Sequence, residues 1–126
     1  MKKIIFTEKA PKPIGPYNQA VLVGNTLYTS GQIAIHPITG LLVIDTIESE
    51  TQQVMENLKA ILEVAGMSFE HVIKTSIFIS DMNLFDTINT VYSKYFNSET
   101  APARETVEVA RLPKNVNIEI SMIAML

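Results

Sequence analysis

Arg104 is the residue of this sequence best suited to hold a small acid. The 126 residues contain only two arginines, Arg104 and Arg111. Arg104 follows Ala101-Pro102-Ala103 at the start of a predicted strand, and a guanidinium there is able to form two parallel hydrogen bonds with a carboxylate. The spacing alone favours a simpler role, a surface ion pair with Glu105 or Glu108. The residues by themselves leave both hypotheses open.

Glu119 is a candidate for proton transfer because it stands between Ile118 and Ile120, inside an apolar strand. Carboxylates are seldom fully buried without a partner. A partly desolvated Glu119 would have a raised pKa and would exchange protons with a substrate or a water molecule. Arg104 and Glu119 lie on consecutive strands, so the two side chains are expected to meet across the sheet. The alternative is a solvated glutamate on an edge strand.

Asn89 is a polar residue within an apolar stripe. Phe85 precedes it by four residues, Tyr92 follows it by three and Phe96 by seven, which is the spacing of one helix face. An amide in such a stripe must find hydrogen-bond partners. Most residues of this kind hold a neighbouring loop, and a contact with a ligand is the less common role.

The loops offer further candidates. Tyr17 follows Gly15-Pro16 in a proline-rich segment and is placed either to cover a pocket or to pack a loop. Ser30-Gly31 ends a predicted strand, where glycine lets a backbone N–H approach a ligand closely, although ordinary turn chemistry explains the pair as well. His36 and His71 are expected to be structural or exposed.

The composition excludes several kinds of chemistry. Without cysteine the chain has no thiolate nucleophile, no disulfide and no cysteine-ligated metal, and two histidines are too few for most histidine-based metal sites. The glycine-rich motifs that bind ATP or NAD are absent, as is the motif of serine hydrolases. A net charge of −3 is not the basic footprint of a nucleic-acid-binding protein. We therefore expect no metal and no nucleic acid.

The charged residues are too few for an ordinary small domain. They make up 18% of the chain, against about 25% in typical soluble domains, while 47% of residues are hydrophobic. Large exposed apolar patches are rare in monomers, so this balance favours a subunit interface over a monomer with an apolar exterior. The apolar run Ile4–Phe6 is shorter than a signal peptide requires, and no segment approaches a membrane span. We expect a cytoplasmic protein that does not enter a membrane.

The elements that must position these residues are those of an α+β domain. Apolar periodicity predicts a helix over 50–65, with Ser49 and Gln52 as a capping box and Gly66 after its end. A second helix is predicted over 84–96, with Asn83 as its N-cap. Strands are predicted in a hairpin over 20–30 and over 72–79, 103–109 and 117–125. Two helices cover one face of such a sheet, and the other face is half apolar.

Six short motifs are similar to those of the RidA (YjgF) family of reactive intermediate deaminases, in family order and over essentially the whole chain. They are Ile14–Ala20, Tyr28–Gln32, Asn89–Tyr92, Pro102–Val107, Val109–Pro113 and Ile118–Ile120. The resemblance implies one domain over 1–126 with the α+β fold of bacillary chorismate mutase. That fold has one mixed sheet of about six strands, with two helices on one face. The family assembly would be a homotrimer, with pockets in the clefts between subunits.

The activity implied by the resemblance is hydrolysis of 2-imino and 2-enamino acids to 2-keto acids and ammonia. Substrates such as 2-aminoacrylate and 2-iminobutanoate are released by pyridoxal-phosphate-dependent dehydratases. Their removal protects pyridoxal-phosphate enzymes from damage. The reaction would need no cofactor, because an imine is already electrophilic and requires mainly orientation, a proton and a water molecule.

The resemblance also implies roles for individual residues. Arg104 would bind the substrate carboxylate, and Glu119 would position and activate the attacking water. Backbone groups of Gly31 and Thr106 would orient the imine and the departing amine, and Tyr17 from the adjacent subunit would cover the pocket. The substrate-binding residues implied in this way are Tyr17, Ser30, Gly31, Asn89, Arg104 and Thr106.

Three positions depart from the family pattern. Thr106 stands where several members have cysteine, Asn18 replaces the commoner serine, and Ser121 replaces a frequent second glutamate. The last change leaves Glu119 as the one carboxylate of the final strand. The alternative function is a non-catalytic trimeric ligand-binding or chaperone-like protein of the same fold. A chorismate mutase would want more cations than two arginines supply, and the acidic charge disfavours a nuclease.

Overall fold

Six strands form one mixed sheet in a computed structural model that describes all residues from Met1 to Leu126. The strand order is β1-β2-β3-β6-β4-β5, and β4 and β5 form the one parallel pair. This confirms the predicted α+β class and the sheet of about six strands. The strands are β1 (Lys2–Ile5), β2 (Ala20–Val23), β3 (Thr26–Thr29), β4 (Val72–Ile79), β5 (Ala103–Glu108) and β6 (Ile118–Met125).

The first strand has no counterpart in the predicted elements. Only Ile5 of its four residues is buried, and two of the others are lysines. A short, charged edge strand of this kind carries no alternating apolar signal. It pairs antiparallel with β2, with Ile5 opposite Ala20, and so extends the hairpin by one strand.

The hairpin of β2 and β3 turns at Gly24-Asn25, as predicted. Gly24 has a φ of 61°, in the left-handed region that favours glycine. The second strand ends at Thr29 rather than at Ser30. The Ser30 hydroxyl donates instead to the carbonyl of Asn18, which ties the end of the strand to the loop before β2.

Helix α1 (Ile47–Val64) begins three residues earlier than predicted. Its N-cap is Thr46, whose side chain accepts from the Ser49 backbone N–H at 3.1 Å. The Ser49 hydroxyl accepts from the Thr46 backbone N–H at 3.2 Å, so Ser49 is the third residue of the helix and not its N-cap. The predicted cap was wrong because two hydroxyl residues three apart compete for that position. Gly66 follows the helix with a φ of 77°, as predicted.

Helix α2 (Phe85–Ser93) is shorter than predicted at both ends. A single 3₁₀ turn over residues 82–84 precedes it, and Asp81, not Asn83, caps that turn by accepting from the Asn83 N–H at 2.9 Å. Beyond Ser93 the backbone N–H of Tyr95 bonds to Tyr92, three residues back, so the last predicted turn also tightens.

Both helices lie on one face of the sheet, which we call the covered face. Side chains of α1 such as Leu58 and Ile61 pack there with Leu27, Ile77 and Ile120, and all five are at most 1% exposed. The other face, the open face, has no helix upon it. It mixes polar groups with apolar side chains that stay 40–47% exposed, as the sequence predicts: Val23, Tyr28, Val107 and Met125.

Candidate active site

Arg104 lies on the covered face at the free edge of the sheet, opposite Thr75 in the parallel pair. Its Nη1 donates to the Asn89 Oδ1 at 2.7 Å. Its Cζ lies 5.0 Å from the ring centre of Tyr92 and 5.5 Å from that of Phe85, both within cation–π distance. We call Phe85, Asn89 and Tyr92 the Arg104 cradle.

The cradle is one stripe of α2, at the spacing noted from the sequence. Tyr92 is 4% exposed, and its hydroxyl donates to the Thr75 Oγ1 at 3.1 Å, so the helix stripe is anchored to the sheet. Burial raises the pKa of Tyr92. The sequence placed Asn89 in this stripe but did not connect Phe85 and Tyr92 with Arg104.

The surface ion pair that spacing favoured for Arg104 is wrong. Glu105 pairs with Lys74, with 2.7 Å between Oε1 and Nζ. The pKa of Glu105 is lowered, first by this contact and then by a hydrogen bond from Ser76. Glu108 accepts from the Met82 N–H at 2.7 Å. Both neighbouring carboxylates therefore have other partners, and Asn89 is the one hydrogen-bond partner of the Arg104 side chain.

Glu119 lies on the open face, where its carboxylate packs against Gly31. A Cβ at residue 31 would lie 2.5 Å from the Glu119 Oε2, so any larger residue would displace the carboxylate. Gly31 has no left-handed φ, and close approach is what requires glycine here. No group of the chain forms a hydrogen bond or ion pair with this carboxylate. Burial alone raises the pKa of Glu119, as expected for a desolvated acid without a cation.

A cavity of about 330 Å³ opens beside Glu119 and Gly31. Tyr17 borders it and is 50% exposed, with its hydroxyl accepting from the Ile14 N–H at 3.3 Å. Tyr17 and Glu119 thus share a cavity within one chain. The lysines that border the same cavity, Lys12 and Lys114, were not among the sequence candidates.

The walls of this Glu119 cavity are held by buried amides. Gln19, 1% exposed, donates from Nε2 to the carbonyls of Thr7, Ala10 and Pro11 and accepts from the Thr7 N–H. Asn57 donates to the carbonyls of Ile33 and Ile35 at 3.2 and 3.0 Å. Neither residue was singled out by the sequence: Gln19 lies on an irregular segment without periodicity, and Asn57 is one polar residue within α1 whose partners are far along the chain.

Two further predicted site residues, Ser30 and Thr106, lie near Gly31 and Arg104 in the sequence. Ser30 does not border the Glu119 cavity, and its hydroxyl is used on Asn18. Thr106 lies two residues beyond Arg104 and so on the same face of β5. Its Oγ1 is buried without a hydrogen-bond partner. An unpaired buried hydroxyl costs about 1–3 kcal/mol, which marks this position as unusual.

The two histidines lie in local turns, as expected. The Nδ1 of His36 accepts from the N–H of Ile38 at 3.2 Å, and the Nδ1 of His71 accepts from the Ser68 N–H at 3.0 Å. No three side chains of histidine, aspartate or glutamate are grouped as metal ligands would be. No helix is both long and apolar enough to cross a membrane.

Arg104 and Glu119 do not meet within one chain. Glu119 pairs with Phe78 on the open face, whereas Arg104 pairs with Thr75 on the covered face. Strand β4 lies between the strands that carry them. The expected contact across the sheet was wrong because strands consecutive in sequence need not be neighbours in the sheet. One chain therefore presents a cation site and a carboxylate site on opposite faces.

Comparison with known proteins fits this fold. The model of the family described as Endoribonuclease L-PSP matches residues 7–126. A RutC family protein of Pyrococcus horikoshii is 56% identical, and the match covers 98% of each chain. The crystal structure of E. coli TdcF with bound serine has a TM-score of 0.92 at 46% identity, with 98% of each chain covered. The fold and site thus define an α+β protein of the YjgF/L-PSP class.

A further relative carries the name of an activity. The 2-iminobutanoate/2-iminopropanoate deaminase of Escherichia coli is 47% identical, over 99% of this chain and 98% of its own. Other relatives are named RutC family proteins. The chain belongs to the YjgF/RidA family, as its six motifs predicted.

Proposed function

We propose that the protein hydrolyses 2-imino and 2-enamino acids to 2-keto acids and ammonia. The observation that carries the proposal is the Arg104 guanidinium. It donates one hydrogen bond to the Asn89 amide, and no carboxylate of the chain is paired with it. The deaminase name of the Escherichia coli relative supports the reaction, and the serine bound to TdcF supports an amino-acid-like ligand. The substrate and the 2-keto acid product both carry the carboxylate that such a guanidinium would bind.

The site requires a second copy of the chain. Arg104 and Glu119 lie on opposite faces of one sheet, so a substrate held by both must lie between two chains. The half-apolar open face offers the surface for that contact, since such faces seldom stay exposed. We infer a homotrimer in which each pocket takes Arg104 from one copy and Glu119, Gly31 and Tyr17 from the next.

The proposed reaction begins with a proton taken from water by Glu119. The water oxygen bonds to C2 of the imine, and the electrons of the C=N bond move to nitrogen. Glu119 returns that proton to nitrogen, which gives the neutral carbinolamine. Glu119 then takes the hydroxyl proton and passes it to the nitrogen, so that the C2–N bond breaks, the oxygen becomes the carbonyl of the 2-keto acid, and ammonia leaves. A carboxyl whose pKa is raised by burial is better suited to give a proton as well as to take one.

Enamines need one earlier step. A protonated Glu119 would give its proton to C3 of 2-aminoacrylate, and this converts the enamine into the imine before water adds. The backbone groups of Gly31 and Thr106 would hold the nitrogen during these steps. No cofactor takes part in this scheme, and the source of substrate would be a pyridoxal-phosphate-dependent dehydratase.

A coupled assay tests the proposal. Threonine dehydratase supplies the imine, semicarbazide competes for it, and release of 2-ketobutyrate is followed. We expect the wild-type protein to accelerate that release. Arg104→Ala should lower kcat/KM by roughly 100-fold or more, because charge-assisted bonds to the carboxylate are lost. The matched control is Arg111→Ala, which removes the other arginine and should keep the activity.

Two results would contradict the proposal. The first is no acceleration by wild-type protein that is folded. The second is a mass near the 14.0 kDa of one chain in light scattering, because a monomer cannot complete the pocket.

An amino-acid-binding protein that releases its ligand unchanged is the second candidate, favoured by the serine bound to TdcF. Saturable binding of serine or 2-ketobutyrate without acceleration would support it.

A further inference from the structure

The Arg104 cradle contains two aromatic rings that the proposed chemistry does not use. A hydrogen bond to Asn89 fixes one end of the guanidinium but leaves its plane free to rotate. The rings of Tyr92 and Phe85, with centres 5.0 and 5.5 Å from Cζ, limit the space in which the guanidinium can rotate. A carboxylate clamp needs a fixed plane, because its two N–H bonds must be parallel.

We propose that Phe85 and Tyr92 are positioning residues that hold the Arg104 guanidinium ready for the substrate carboxylate. The rings support the cation while Asn89 occupies one Nη1 hydrogen, so another N–H edge stays available. The proposal deepens the proposed function and rests on it for the identity of the ligand. Whether the two rings hold the Arg104 guanidinium can be tested without any enzymatic activity.

Tyr92 contacts Arg104 through its ring and not through its hydroxyl. The hydroxyl is used inside the protein on Thr75, and the side chain is almost fully buried. The ring therefore keeps one orientation as Arg104 binds or releases an anion. An aromatic face also replaces water on that side of the guanidinium, which strengthens the bond between the cation and a carboxylate.

The expected effect is on binding more than on chemistry. The carboxylate stays bound to Arg104 from substrate to product, so loss of a ring weakens the ground state and the transition state alike. Such a change raises KM and leaves kcat nearly unchanged. Cation–π contacts predict a rise of roughly 2- to 30-fold for each ring removed.

The test compares aromatic-to-leucine changes at matched positions. Phe85→Leu and Tyr92→Leu remove rings that touch Arg104. Phe69→Leu removes a ring that packs on Tyr95 and Phe96, with centres 5.3 Å apart, and has no contact with Arg104. Tyr92→Phe keeps the ring and should restore most of the affinity lost in Tyr92→Leu.

Three measurements are made on each variant in its native assembly. Calorimetry gives the Kd for 2-ketobutyrate, the coupled assay gives KM and kcat, and ¹⁵N NMR follows the Arg104 Nε–H, which the two rings shift. We expect Phe85→Leu to raise Kd and KM together and to move the Arg104 signal. Phe69→Leu should change none of the three.

The proposal is overturned if the Arg104 signal and the Kd are unchanged in Phe85→Leu, or if Phe69→Leu weakens binding equally. If Tyr92→Leu does not fold, Phe85→Leu decides alone. Wild-type protein that neither binds 2-ketobutyrate nor turns over imines would instead contradict the proposed function. The Arg104 signal in Phe85→Leu would then still decide whether the rings hold the cation.

Discussion

The Arg104 cradle and the Glu119 cavity prepare charged groups in opposite ways. Arg104 is held by contacts: one amide and two rings, all from a single helix. Glu119 is placed by the lack of a side chain at Gly31 and has no partner of its own. Contacts with neighbouring side chains therefore fix the position of the Arg104 guanidinium, whereas the lack of such partners leaves the Glu119 carboxylate with a raised pKa.

Glu119→Gln should give the largest contrast between the two regions. The amide fills nearly the same space but cannot accept a proton, so kcat should fall by roughly 100- to 10,000-fold. Binding of 2-ketobutyrate should change little, because Arg104 is untouched. The coupled assay and calorimetry measure the two quantities. An unchanged kcat would remove Glu119 from the mechanism.

Gly31→Ala should displace the Glu119 carboxylate, because the new methyl group would occupy the space that the carboxylate fills. The new Cβ would lie 2.5 Å from the carboxylate oxygen, so the end of the Glu119 side chain must move away. We expect a fall in the melting temperature and a loss of most activity. Because a flexible side chain gives way more easily than a packed core, the loss of stability should stay below the ~1–3 kcal/mol typical of core overpacking.

A double variant separates the contact from a general effect of alanine at that position. Glu119→Ala removes the clashing atoms, so Gly31→Ala should destabilise this background much less than the wild type. Equal destabilisation in both backgrounds would show that the carboxylate is not what excludes a side chain at residue 31.

Asn89→Ala should weaken the binding of a carboxylate by Arg104, with a smaller effect than the Glu119 and Gly31 changes have on activity. It removes one hydrogen bond from the guanidinium but leaves both rings, so the Kd for 2-ketobutyrate should rise by roughly 10-fold. Asn83→Ala, an exposed asparagine in the preceding turn, is the matched control. A larger loss than in Arg104→Ala would mean that Asn89 acts outside the cradle.

The pH dependence of stability should show the smallest effect. Burial raises the pKa of Glu119 above its value in the unfolded chain, so the folded state binds this proton more tightly. The contribution of Glu119 to stability therefore falls as the pH rises from the unfolded pKa through the folded one. Glu119→Gln should lose this decline and be relatively more stable at neutral pH. Denaturant unfolding at several pH values measures the difference, and parallel profiles would contradict the raised pKa.

Local features of the fold could be predicted from the sequence, and long-range ones could not. Strand β4 was predicted at both ends because a run of β-branched residues leaves little choice. The start of α1 was missed because Thr46 and Ser49 both make good caps, and only packing decides between them. The position of β4 between β5 and β6 is a matter of strand order, which depends on contacts between distant residues and which local periodicity does not reveal.

The residues of the candidate site could likewise be predicted from the sequence, whereas the contacts between them could not. The residues quoted for the resemblance include Arg104, Asn89, Gly31 and Glu119, but their grouping depends on tertiary structure. The contact of Gly31 with Glu119 joins two residues 88 positions apart in the sequence, so the two roles considered for the glycine, a close approach to a ligand and turn chemistry, did not include it. The role of the aromatic stripe was equally invisible, since Phe85 and Tyr92 have the spacing of ordinary core residues.

The separation of Arg104 and Glu119 on opposite faces of the sheet has a genetic consequence. If each pocket joins two copies, a gene with Arg104→Ala and a gene with Glu119→Gln are each inactive alone. Expressed together, their products would form mixed assemblies in which an intact Arg104 meets an intact Glu119 across one boundary. Two defective alleles would then complement each other. A subunit carrying both changes would instead inactivate both of the pockets to which it contributes.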